Sequence, residues 1–330
     1  LNERKLSLLL EKLPDADAVA RAAVRERALE ILRPPGALAR LDDVAVWLAG
    51  WQRTSHPAVE RPAAVIFVAD HGVADEGVSA YPQSVSQTML HAFEDGVATA
   101  SVMAQVVQAS LKVVDVGVGR PTGNLMRQPA LTVGGFANCL EAGRAAVRAL
   151  DCDLLVLGEM GIGNTTSAAA LCAALFGLHA EDWCGRGTGV DDARLALKIS
   201  VVECSRRRVG DVAPFEALRQ LGGSELVAIA GSVLEARLLS IPVVLDGFVV
   251  TAAVAPLFLS QPEALAHCVA GHRSLEPGHA LLLDKLGMPP LIDLGLRLGE
   301  GSGALAAVPL IRLAAAVVTD VATFSERRLS

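Results

Sequence analysis

Two glutamates set inside glycine turns are the residues of this chain best suited by type to do chemistry. Glu159 stands in Leu154-Leu-Val-Leu-Gly-Glu-Met-Gly-Ile-Gly-Asn-Thr-Thr166, and Glu300 in Gly299-Glu-Gly-Ser-Gly303. Each turn reads as the passage from an apolar run into a helix hydrophobic on every side. Such a turn exposes backbone N–H groups where the helix dipole favours an anion. A carboxylate is a poor component of a plain phosphate cradle, so these loops are expected to hold something besides phosphate. In a water-poor loop a carboxylate gains proton affinity and can act as a general base towards a weak acid. The plainer reading is a capping glutamate in a flexible turn. A third turn, Gly185-Arg-Gly-Thr-Gly-Val-Asp-Asp192, precedes a helix carrying Lys198. By itself it reads as a loop with an Asp cap, and Lys198 as an exposed helical lysine.

The elements that must position these turns begin at residue 62. Ala63–Val68, Leu111–Val114, Leu154–Leu157 and Ile241–Leu245 are short apolar runs, mostly without polar alternation, separated by helical stretches. That pattern predicts an α/β fold: a doubly wound, mainly parallel sheet with helices on both faces. Residues 1–55 read as helical, broken at Pro34-Pro-Gly36, with Leu41, Val44, Trp47, Leu48 and Trp51 on one face. With 301–330 they are expected to form a smaller helical domain beside an α/β domain at 56–300. Near the C-terminus we expect a helix over Pro277–Leu286, a short strand over Leu291–Leu296 and an apolar helix from Ala304.

Four of the runs end in an acid: Asp70, Asp115, Glu159 and Asp246. Ligands of open parallel sheets bind beyond the carboxyl ends of the strands. Four carboxylates there could hold ribose hydroxyls, stabilise positive charge at a sugar carbon, or bind a divalent metal. A single strand-end Asp is an ordinary cap or turn former. The stretch Asp70 to Gln87 also carries Tyr81, the only tyrosine, among amide and hydroxyl groups suited to a flat heteroaromatic ligand. His71 has no His or Cys at ligand spacing, which argues against zinc. His272 and His279 read as helix-start structure.

The net charge of −7, without a basic stripe, argues against nucleic acid. Ile241–Leu259 is the most apolar run but includes Pro242, Asp246 and Pro256, so a buried strand and helix fit it better than a membrane span. The charged first 27 residues have no secretory core. Six cysteines without close pairs read as core residues in a reducing cytoplasm.

Together these motifs resemble the nicotinate-nucleotide–dimethylbenzimidazole phosphoribosyltransferase family. The resemblance runs in family order through Asp70-His-Gly72 with Ser79-Ala-Tyr-Pro-Gln83, Gly158 to Thr166, Gly185 to Gly189, and Leu245-Asp-Gly-Phe248. It continues through Gly271 to His279 and Arg297 to Gly303. It departs from the pattern at 35–40 and matches only approximately at 118–124.

The resemblance implies transfer of phosphoribose from nicotinate mononucleotide to 5,6-dimethylbenzimidazole, with inversion at the anomeric carbon. It implies Glu300 as catalytic base and Glu159 as supporting carboxylate. Gly161, Gly163, Asn164, Thr165 and Thr166 would bind ribose and phosphate, helped by Gly187 and Lys198. Ser79, Tyr81, Gln87 and Leu298 would line the benzimidazole slot. It also implies a homodimer with no metal and no cofactor. The residues alone leave two other readings open: a metal-dependent phosphotransferase, and a non-catalytic nucleotide- or benzimidazole-binding protein.

Overall fold

The computed structural model describes residue 6 and residues 9–327. Five strands form one wholly parallel sheet: β1 Pro62–Ala69, β2 Ser110–Gly117, β3 Leu154–Met160, β4 Val243–Leu245 and β5 Cys268–Ala270. Their order is β2-β1-β3-β4-β5. The winding therefore reverses between β1 and β3, which opens a crevice beyond their carboxyl ends.

The helices in chain order are α1 Ala18–Glu30, α2 Arg40–Gln52, α3 Ser84–Glu94, α4 Thr99–Val106, α5 Val133–Arg148 and α6 Asn164–Phe176. They continue with α7 Ala180–Trp183, α8 Asp192–Val209, α9 Pro214–Leu221, α10 Ser224–Leu238, α11 Phe248–Ser260, α12 Pro277–Leu286 and α13 Ser302–Thr319.

Strand alternation splits the core in two. Val65, Phe67, Leu155, Leu157, Val243 and Leu245 face α5, α6 and α8 to α12. Ala64, Ile66, Val68, Leu154, Val156 and Val244 face α1, α2, α4 and α13. The terminal helices thus share one continuous core with a sheet face. They are also tied together directly: Arg27 donates from its guanidinium to the carbonyls of Val318, Thr319 and Val321. Each fully buried aliphatic or aromatic side chain contributes roughly 1.5–3 kcal/mol to such a core.

β1, β3 and β4 are covered on both faces, as unbroken apolar runs require, while the edge strand β2 is half exposed. Ile241–Leu259 divides into buried β4 and α11. Among the described residues one helix, Ser302–Thr319, is long and apolar enough to cross a membrane, but its Leu305, Val308, Ile311 and Val318 are buried against the sheet and α2.

The strand expected over Leu291–Leu296 is not formed. The segment forms one parallel bridge, Ile292 with His272, and rejoins its neighbour only where Leu275 N donates to the Leu296 carbonyl at 3.0 Å, past a break at Gly295 (φ 67°). The fifth strand is β5 instead. Three residues are too few to carry a periodicity.

Candidate active site

A cavity of about 710 Å³ lies beyond the carboxyl ends of β1, β3, β4 and β5. Its walls are the segments that follow those strands: Ser79 to Met89, Glu159 to Thr165, Gly247 to Val249 and His272 to Glu276. Gly187, Thr188 and the loop Gly295 to Glu300 complete it.

The two glutamates meet here. The Glu300 N–H donates to the carbonyl of Glu159 at 3.0 Å, so the loop carrying one is laid on the strand end carrying the other. Gly299, Glu300 and Gly301 all have positive φ (86°, 61° and 75°). For a glutamate this left-handed conformation costs roughly 1–2 kcal/mol. Asp246 holds the loop in place, accepting from the N–H groups of Gly301 at 3.1 Å and Ala304 at 3.0 Å.

The environments of the pair differ. Burial, then the charges of Asp246 and Glu225, push the Glu159 carboxyl up to about 8; Glu300 adds to this and an Asn164 hydrogen bond opposes it. Burial also raises Glu300, with a smaller push from Asp246, but the backbone N–H of Ala100 in the first turn of α4 holds it down. Glu300 Oε2 is buried and has no partner among the described residues. Near neutral pH burial and its acidic neighbours favour a protonated Glu159, whereas the helix N–H at Ala100 favours the charged form of Glu300.

Two uncapped helix starts open on the cavity. α6 begins at Gly163 and α11 at Gly247, neither with a side-chain cap, so both present N–H groups and the positive end of a dipole. Asn164 turns its amide back to donate to Glu159 Oε2.

Lys198 corrects the plain reading of an exposed lysine. It is buried, and its Nζ donates to Thr165 Oγ1 at 2.9 Å and to the Gly185 carbonyl at 3.0 Å. Burial lowers its proton affinity, against an opposing pull from Glu276. The Asp cap is present, since Asp191 accepts from Arg194 N at 2.8 Å.

Of the residues singled out in the sequence, Glu159, Glu300, Gly161, Gly163, Asn164, Thr165, Gly187, Ser79, Tyr81 and Leu298 line the cavity. Lys198 stands behind Thr165. Thr166 is fully buried within α6, outside the lining, and Gln87 lies on the exposed side of α3, bonded to His91 at 3.0 Å. Sequence spacing marks the segment but not which way each residue of a helix turns.

The four strand-end acids do not converge. Asp70 and Asp115 accept from Gly119, and from Gly117 and Val118, and so pin the turn after β2. Among the described residues no group of three or more His, Cys, Asp or Glu could hold a metal ion.

Glu276 lies within the Gly271 to His279 motif but was given no role of its own. Its Oε1 accepts from Gly187 N at 2.7 Å, fixing the third glycine turn; only its place before Pro277 at a helix start hinted at a role. Met89 and Val249 supply apolar walls that no motif announced, beside Val85 and Phe248 from segments the sequence had marked. His279 is structural. Its Nδ1 accepts from Ser274 N at 3.0 Å, which leaves Nε2–H to donate to Thr251 Oγ1, and burial drives its pKa to about 3. His272 reaches the cavity wall, 3.5 Å from Asp246.

A crevice at a parallel-sheet switch point, walled by glycine turns and uncapped helix starts, suits a phosphorylated ligand. The model of a family described as "Phosphoribosyltransferase" matches residues 13–328. A Ruegeria pomeroyi nicotinate-nucleotide–dimethylbenzimidazole phosphoribosyltransferase is 48% identical over 98% of this chain and 96% of its own. That of Novosphingobium aromaticivorans is 47% identical over 96% and 94%. The crystal structure of CobT from Thermus thermophilus superposes with a TM-score of 0.90 at 43% identity, over 94% of this chain and 99% of that one. The chain belongs to the nicotinate-nucleotide–dimethylbenzimidazole phosphoribosyltransferase family.

Proposed function

We propose that this chain moves phosphoribose from nicotinate mononucleotide to 5,6-dimethylbenzimidazole, giving α-ribazole 5′-phosphate and nicotinate, with Glu300 as general base. The observation that carries the reading is the buried Glu300 carboxylate, which faces the N–H of Ala100 and has one oxygen without a partner among the described residues.

A benzimidazole ring nitrogen attacks the anomeric carbon while the bond to nicotinate breaks, its electron pair returning to the pyridine nitrogen. Glu300 takes the proton from the azole's other nitrogen. The uncapped start of α6, with Gly161, Gly163, Asn164 and Thr165, receives ribose and phosphate, supported by Gly187 and by Lys198 behind Thr165. Ser79, Tyr81 and Leu298, with Val85 and Met89, form the slot for the flat ring. A protonated Glu159 adds no negative charge beside the phosphate and can donate to a sugar oxygen.

Alignment of two rings about one carbon can supply on the order of 7–11 kcal/mol at the favourable extreme. The base adds roughly 10²–10⁴-fold. Tyr81 and Leu298 line the cavity and are exposed, as are Leu275 and Leu294 next in sequence to lining residues, an apolar rim that a second copy of the chain would cover in a homodimer. Among the described residues the six cysteines are free, in keeping with a reducing compartment such as the cytoplasm.

The test is chromatography of nicotinate and α-ribazole phosphate formed by the wild type and by Glu300→Gln. The variant should bind both substrates yet lose about 10²–10⁴-fold in kcat. The wild-type rate should rise with pH through the elevated Glu300 titration, and the variant should lack that limb. Near-normal turnover in Glu300→Gln would show that the base lies elsewhere.

A further inference from the structure

His71 and Glu225 form a buried pair that the mechanism above does not use. His71 follows β1, and its Nε2 donates to Glu225 Oε1 while Nδ1 lies 2.9 Å from Ser167 Oγ. Both side chains are wholly buried, and Glu225 Oε2 has no partner among the described residues. An imidazole and a carboxylate sunk this deep cost several kcal/mol in lost hydration, and apolar groups of the same volume would often serve stability as well.

The pair touches the catalytic loop from two sides. A side-chain carbon added to Gly161 would lie 2.9 Å from Glu225 Oε1 and 3.3 Å from Asn164 Nδ2, so the turn is laid directly on the carboxylate. Ser167 and Asn164 stand one helical turn apart on α6, and Asn164 donates to Glu159. A continuous path therefore runs from Ser167 through His71 and Glu225 to the turn, then to Asn164 and Glu159.

We propose that Glu225, clamped by His71, is a positioning residue for phosphoribosyl transfer: it fixes the Gly161–Gly163 turn and, through Asn164, the carboxyl of Glu159. The proposal rests on the reading of Glu159 as a group that serves the reaction. The charge of Glu225 also reaches Glu159 and helps to raise its proton affinity. The groups facing Glu159 are Asp246 at the end of β4, Glu225 on α10, Asn164 on α6 and Glu300 on its loop. The pair itself faces Ser167 on α6 and Cys139 on α5.

The experiment is a double-mutant cycle of Glu225→Gln and Glu159→Gln in the full chain, with kcat, both KM values, pH profiles and melting temperatures. Glu225→Gln should lower kcat about tenfold to a hundredfold, as a small misplacement does, and leave the benzimidazole KM unchanged. The limb of the profile belonging to Glu159 should move to lower pH, because one negative neighbour is gone. Added to Glu159→Gln, the change should cost little more, since both act on one group. Additive losses with an unmoved profile would overturn the proposal alone. Full kcat in Glu159→Gln would overturn the reading of Glu159 and the proposal with it. Should Glu225→Gln melt below the assay temperature, His71→Gln takes its place in the same cycle, with non-additivity again the expected result and additivity the overturning one.

Discussion

Gly158 in β3 and Gly301 ahead of α13 stand backbone against backbone: a side-chain carbon on Gly158 would lie 2.5 Å from Gly301 N and 2.7 Å from its Cα. This contact lets the Glu300 loop settle on the strand end. Glu159 and Glu300 become neighbours only because the residue before one and the residue after the other have no side chain.

Gly158→Ala should therefore lift the loop away. Overpacking of this kind costs about 1–3 kcal/mol, and a displacement near an ångström costs about a hundredfold in rate. Stability in urea denaturation and kcat should fall together. A variant with wild-type turnover would show that the loop is set by Asp246 alone.

Glu159 predicts how stability follows pH. Its folded pKa, about 8, lies above the unfolded value near 4.5, so the native state binds the proton more tightly. The resulting stabilisation is whole below about pH 4.5 and is lost as pH rises through 8. The loss amounts to roughly 1.4 kcal/mol for each pH unit crossed in that window. Glu159→Gln keeps a neutral side chain throughout. Its melting temperature should overtake the wild type's as pH rises from roughly 6 to roughly 9; parallel melting curves against pH would refute the assignment.

Lys198 joins the start of α6 to the third glycine turn through Thr165 and the Gly185 carbonyl. Lys198→Met removes the buried cation behind the proposed phosphate site. With about 1.5–3 kcal/mol for a hydrogen bond to a charged group, the KM for nicotinate mononucleotide should rise tenfold or more, while that for dimethylbenzimidazole stays put. Initial rates with each substrate varied in turn would check this, and an equal rise in both would point to general damage.

Much of the scaffold was legible before any coordinates. Unbroken apolar runs at 63–68 and 154–157 have to be buried on both faces, and they are the centre of the sheet. Gly287 after Leu286 and Pro277 at the start bounded α12 where the helix stands. β5 escaped notice because a three-residue strand has no period, and 291–296 passed for a strand because extended loops and strands share an apolar composition. Lys198 misled for a related reason: a helix rich in charge, α8, gives no sign that its single lysine turns inward.

By itself the sequence determined the four longer apolar strands, the helical stretches between them and the glycine turns, and which acids those turns carried. These follow from local rules: hydrophobic period, the missing Cβ of glycine, and the polarity of a helix start. Tertiary structure alone decided that Glu159 and Glu300 share one cavity while Asp70 and Asp115 serve a turn. It also decided that one of two like carboxyls is buried into neutrality while the other faces a helix N–H. Proton affinity depends on what surrounds a group in space, and those surroundings come from β1, β3, β4, α4, α6 and α10, which are far apart along the chain.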